Sequence, residues 1–288
     1  MSNVQKLSLA LALVSTAGAA AADGLTYSNV EAVYGNIEEL DVTRLNGEAD
    51  YIMGQYSFTG SAGLVSAEGD DASILRGTAG YAIIPGLNVY GLLSYSQAEG
   101  GNDETSYGLG AEFQNNDYGV ALEYEKFDDA DIDSVTLAGF YGFGASTVYG
   151  IANETDNFGS YGLGYKYDAA AFEANIASLW DEDGFDAGAT AFSGAYDVNA
   201  KFTVLASVLT TNDNFLDNGI YTVGGSYNLT DTTSVEANYG QSFGSDIVDG
   251  DGFTLALSFE TGARRVRVTD QVTNYVTDTT PLYDLLDF

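Results

Sequence analysis

The chain has no cysteine and no histidine, two prolines, one tryptophan and nine lysines and arginines among its 288 residues. Each scarcity removes a class of function. Without cysteine there is neither a disulfide framework nor a thiolate metal site. Without histidine, a Ser-His-Asp triad, an imidazole base and the usual zinc sites are excluded. The nine bases face 42 acids, a net charge of −33. Nucleic acid is therefore not an expected partner, because phosphates are neutralised by Lys and Arg. Asp249-Gly250-Asp251-Gly252 matches a fragment of a calcium loop, but the other ligands of a twelve-residue site are missing. No metal and no cofactor are expected. Beyond the N-terminus no apolar run is long enough to cross a bilayer as a helix, so a membrane location would require a closed barrel.

What the chain does have is glycine (35 residues), tyrosine (21) and phenylalanine (15), the composition of a β-rich protein with interfacial aromatics. Residues 1–22 read as a secretory signal. Lys6 supplies the positive start, Leu7 to Val14 the apolar centre, and Ala20-Ala21-Ala22 the small-residue cleavage site.

From Leu25 the chain breaks into sixteen short β-like runs, the first at 25–34 and the last at 253–259. In the last, Phe253, Leu255, Leu257 and Phe259 fall on one face and Thr254, Ala256 and Ser258 on the other. The same period of two recurs at Tyr107, Leu109, Ala111 and Phe113, and at Val120, Leu122 and Tyr124. Alternation alone also describes a soluble sandwich. The connections discriminate better. Eight long ones, totalling 69 residues, carry 24 acids, whereas the seven tight ones between them, totalling 28, carry four. Long acidic loops at one end and tight turns at the other predict an all-β, transmembrane, antiparallel up-and-down barrel of about sixteen strands over residues 23–259. Sixteen strands leave an aqueous lumen where eight would be filled by side chains.

Charges within the strands follow the same alternation. Glu31, Glu48, Asp50, Glu112, Glu123, Glu125, Glu173 and Glu236 all lie opposite the apolar face, as do Arg44, Arg76 and Lys166. Since a carboxylate facing hydrocarbon costs several kcal/mol, these eleven are the expected pore-lining residues. Eight acids against three bases predict a lumen that favours cations. Ion pairing within this set would instead make some of them structural.

This pattern resembles the outer-membrane general porins of Gram-negative bacteria, the alphaproteobacterial type above all. The carriers are the signal, the hairpin series with its Ile84-Pro85-Gly86-Leu87 turn, and the closing F-x-L-x-L-x-F strand. The resemblance implies passive diffusion of small hydrophilic solutes and ions through the outer membrane. It implies contact with lipids and lipopolysaccharide, and a homotrimer as well as a monomer is compatible with it. In that family the third long loop folds inward as a constriction, which points here to Glu99, Gly100, Gly101, Asp103 and Glu104, opposite a basic wall to which Arg44 and Arg76 are similar.

Residues 260–288 remain, with Arg264, Arg265 and Arg267. After an even number of strands this tail starts at the tight-turn end. It either lies loosely in the periplasm, the simpler expectation, or enters the acidic lumen as a plug. The rival to a pore is a barrel of structural or adhesive role with a blocked lumen. An enzyme is not expected, although an all-carboxylate site is open to a chain without histidine.

Overall fold

A computed structural model describes residues 24–37, 40–67, 70–101, 103–156, 158–244 and 250–277. The signal reading for 1–22, Asp249 of the calcium-like fragment and the tail beyond 277 lie outside the described residues.

Sixteen strands run in order around one closed antiparallel barrel. They are β1 (Leu25–Ile37), β2 (Leu40–Met53), β3 (Tyr56–Ala67), β4 (Asp70–Ile84), β5 (Leu87–Ala98), β6 (Glu104–Gln114), β7 (Tyr118–Phe127) and β8 (Ile132–Phe143). The second half comprises β9 (Ser146–Thr155), β10 (Gly159–Ala169), β11 (Phe172–Asp181), β12 (Gly184–Asn199), β13 (Phe202–Thr211), β14 (Gly219–Thr230), β15 (Thr233–Phe243) and β16 (Asp251–Gly262). The expected closing strand does close the wall. β16 pairs with β15 on one side and β1 on the other, with Glu31 opposite Ser258 and Val33 opposite Ala256. Every strand has two neighbours, so the sheet has no edge.

The strands are 10 to 16 residues long, longer than the apolar alternation alone suggests. The ladder continues past the apolar band because backbone pairing does not depend on side-chain polarity. Acids assigned to loops from sequence, such as Asp41, Asp70, Asp133 and Asp251, thus sit on strand ends. There, outward tyrosines donate to them: Tyr34 to Asp41 at 2.7 Å, Tyr124 to Asp133 at 2.9 Å and Tyr239 to Asp251 at 3.1 Å. A ring toward the apolar band and a hydroxyl toward a rim carboxylate suit a membrane interface.

At the opposite end the turns are tight. Gly86, with φ +85°, occupies a left-handed position, and a Cβ there would lie 2.6 Å from the Gln114 carbonyl oxygen. The barrel is inverted relative to a soluble one. Leu109 and Leu163, on the outer face, are 70% and 60% exposed, whereas the inward Asp50 and Glu112 are each 2% exposed. Side chains this apolar on the outside define a transmembrane barrel.

Among the described residues one helix, α1 (Val268–Thr277), lies inside it against the inner wall of β7 to β11. The chain turns off the end of β16 at Gly262, with φ +86°, where the Ala263 amide donates to the Thr26 carbonyl at 2.9 Å. Any Cβ at Gly262 would fall on that same Thr26 carbonyl, so only glycine fits this corner. The described residues 263–277 lie against the inner wall of the barrel.

Candidate functional site

The eleven charged strand residues share the inner face, as their register partners require. Arg44 donates to Glu31 at 3.3 Å, and the Ser258 hydroxyl reaches the same carboxylate at 3.0 Å. Arg76 bridges Glu123 at 3.2 Å and Glu125 at 3.8 Å. Glu125 also accepts from the Ser106 hydroxyl. Lys166 and Glu173 pair at 2.8 Å across the β10–β11 hairpin, and Glu236 accepts from Asn238 at 2.8 Å. Asp50 accepts from the Thr59 hydroxyl at 2.7 Å.

The tail meets Glu48 and Glu112 and adds to the partners of Asp50 and Glu123. Arg264 grips both oxygens of Glu48, at 2.9 and 2.6 Å, a bidentate pair. The Arg265 backbone amide donates to Asp50 at 3.1 Å, and its guanidinium lies 3.6 Å from Glu112. Arg267 donates to Glu123 at 3.0 Å and to Asp270 at 2.6 and 2.8 Å. Its guanidinium carbon stands 5.1 Å from the centre of the Tyr90 ring, a cation–π contact, and Tyr90 donates to Glu123 at 3.0 Å. Burial alone would lower the pKa of Arg267, but Asp270 and Glu123 outweigh it and hold it above the ordinary arginine value. The same balance, with Glu48 as the main partner, raises Arg264.

The helix is built into the wall at both ends. A ten-residue helix is marginal alone in water. Here the Val268 amide, unpaired within the helix, donates to Glu112 at 3.0 Å, and Asp270 adds negative charge to the first turn. At the other end the Tyr275 carbonyl accepts from Asn175 at 2.6 Å and from the Tyr149 hydroxyl at 3.0 Å. Between them Val268, Val272 and Val276, four residues apart, form one apolar stripe, 0%, 0% and 6% exposed. They pack on Ala121, Ala138, Tyr149 and Ala177, with Phe140, Ile151 and Leu179 at the margin. The sequence reading missed this strip. Its signal is that β8, β9 and β11 are apolar on both faces: Leu137 and Tyr141 face out while Ala138 and Phe140 face in.

The expected constriction loop sits elsewhere. Glu99, Gly100, Gly101 and Asp103 are exposed in the short connection between β5 and β6. The Glu99 amide donates to the Asp71 carbonyl at 2.8 Å, and Asp103 accepts from the Tyr95 hydroxyl at 2.8 Å. Glu104 accepts the amides of Asp129 and Ala130 at 3.1 and 3.0 Å, tying adjacent rim loops together. Five connecting residues are too few to reach into the lumen while holding these rim contacts, and the element found inside is the tail.

Beside the docked tail there is open space. A cavity of about 440 Å³ is lined by Lys166, Glu173, Asn175 and Ser193 on the strands and by Arg264, Gln271 and Asn274 on the tail. A second, of about 170 Å³, shares Glu173 and Ser193 with it and extends to Glu236 and Asn238. Together they trace a crescent along β10 to β15. Among the described residues no group of three or more acids is placed to hold a metal ion.

A closed sixteen-strand barrel with a polar lumen and an apolar exterior is the porin fold. Solved structures agree. The chain is similar to two engineered variants of the Rhodopseudomonas blastica porin, with TM-scores of 0.56 and 0.57 at 11% identity. It is similar also to a structure described as "Asymmetric conductivity of engineered proteins", with a TM-score of 0.57 at 12% identity. Each comparison covers 82% of this chain and 99% of the other. No family model and no curated protein matches the chain.

Proposed function

We propose that this protein is an outer-membrane porin of the Gram-negative type, passing small hydrophilic solutes and ions down their gradients. The observation that carries the reading is the crescent of space along β10 to β15, bounded by polar side chains and by Glu173 and Glu236. Selectivity follows from the charge set around the lumen. Eight strand carboxylates and Asp270 face Arg44, Arg76, Lys166 and the three tail arginines, nine to six within this set. The channel prefers cations, but more weakly than the strands alone would, because Glu48, Glu112 and Glu123 are neutralised by the tail. The acidic strand ends at the rim suit divalent cations shared with lipopolysaccharide phosphates.

The test is a planar-bilayer recording of the full-length protein across a KCl gradient. A reversal potential of the cation-selective sign supports the reading, and one of the anion-selective sign overturns its ionic part. A second reading, a barrel blocked at rest and serving structure or adhesion, draws on the helix docked across β7 to β11. Absence of conductance in the same recording would favour it.

A further inference from the structure

We propose that residues 263–277 are a detachable gate. They undock as one unit from a receptor strip on the inner wall, the barrel stays closed, and docked and free tails give two conductance levels. The conductance part rests on the porin reading above; the undocking part does not.

Three observations carry it. First, the barrel is complete without the tail. All sixteen strands are paired on both sides by other strands, and no ladder position is filled by residues 263–277. Loss of the tail therefore breaks no sheet hydrogen bond except the single Ala263-to-Thr26 contact at the corner.

Second, the strip is a built receptor rather than a chance contact. The inner wall from β2 to β7 supplies a carboxylate for each arginine, Glu48, Glu112 and Glu123. It also supplies an acceptor for the helix N-terminus, donors for its Tyr275 carbonyl, and an apolar floor. That floor is out of place in a water-filled lumen unless something apolar covers it, and the Val268, Val272 and Val276 stripe does so.

Third, the attachment suits a swinging unit. Gly262 stands at a left-handed corner, and residues 263–267 form no regular structure between it and the helix. The released carboxylates and arginines would enter lumenal water rather than protein interior. The partial exposure of Arg264 and Arg265, 30% and 31% of their side chains, already places the interface next to that water.

Native-state hydrogen exchange on the full-length protein tests undocking without reference to conductance. The α1 amides are expected to exchange faster than the β7–β11 ladder amides. The triple variant R264Q/R265Q/R267Q is expected to speed α1 exchange at least about tenfold, with the ladder unchanged. Exchange of α1 only together with the barrel, or an equal effect of the variant on both, overturns the proposal.

Bilayer recordings then read the gate. A built Cβ at Gly119 lies 2.8 Å from a Val268 methyl and 2.5 Å from the Phe140 ring edge, which has to give way, so the pair G119C/V268C in this cysteine-free chain is the cross-link to lock the tail. The oxidised protein is expected to hold the smaller level and reductant to restore the larger one. Independent exchange of α1 with no conductance in any state would remove the porin reading and leave the undocking intact. Conductance that ignores both the lock and the triple variant would remove the gate.

Discussion

Arg264 and Glu48 stand 216 residues apart in the chain and meet in a two-point guanidinium–carboxylate pair at 2.9 and 2.6 Å. Arg264 also lies over the Tyr27 ring, with the guanidinium carbon 5.9 Å from its centre. This is the first side-chain contact of the tail after the Gly262 corner. Replacing Arg264 by Lys keeps the charge but loses the fork. The expected result is a loss of about 1 kcal/mol in tail docking, read as faster exchange at Val268–Thr277 with unchanged barrel exchange.

Glu123 has a heavier role, because Arg76, Tyr90 and Arg267 all converge on it. Its side chain is 7% exposed and that of Arg267 is 10% exposed. Glu123→Gln leaves two arginines without their shared charge in a poorly solvated place. Breaking such a pair costs about 3–5 kcal/mol when fully buried; with lumenal water nearby, about half of that is expected. The measurement is limited proteolysis of the tail, with heat-modifiable gel mobility confirming the barrel.

Val272 is fully buried on the lumenal strip. Val272→Ala removes two methyls from it and is expected to weaken docking by about 1–3 kcal/mol. The larger conductance level is expected to become more frequent in single-channel records.

Gly262→Ala places a Cβ against the Thr26 carbonyl at a φ that alanine rarely adopts. Strain of about 1–3 kcal/mol is expected. Because the obstacle is backbone, the β1–β16 end must shift to relieve it. The predicted readout is a lower thermal midpoint together with a tail more open to protease.

The arginines set the alkaline behaviour. The pKa values of Arg264 and Arg267 are raised in the folded protein, so their pairing is fully present below the unfolded arginine value and is lost only as pH rises through the higher folded one. Unfolded arginine titrates above about 12. Docking monitored by exchange or conductance should therefore not change through deprotonation of these two groups between pH 7 and pH 10.

The barrel was legible because its signal repeats. A period of two places Leu255 and Leu257 outside and Thr254 and Ala256 inside, and the same rule sorts Glu123 from Leu122 on β7, seven strands away around the barrel. The tail was not, because nothing in it alternates. Its period is four, in Val268, Val272 and Val276, and only the wall decides where such a stripe is buried. Glu99–Glu104, assigned to a constriction, lie at the rim for a related reason. Loop composition says little about reach, whereas the strands β5 and β6 run on into the expected loop and leave a short hairpin at the rim. Which carboxylate each tail arginine meets was not legible, since Arg264, Arg265 and Arg267 are brought to the wall by a turn at Gly262 rather than by any strand register.

The corner at Gly262 has a further consequence. Five residues separate it from the first valine of the helix, so a released tail stays within a few nanometres of its strip, at an effective concentration of roughly millimolar. A free peptide of the same sequence, or any basic segment entering the lumen from outside, would have to compete against that local supply. The strip is thus reserved for its own chain by tethering, and recognition needs no exceptional affinity to be private.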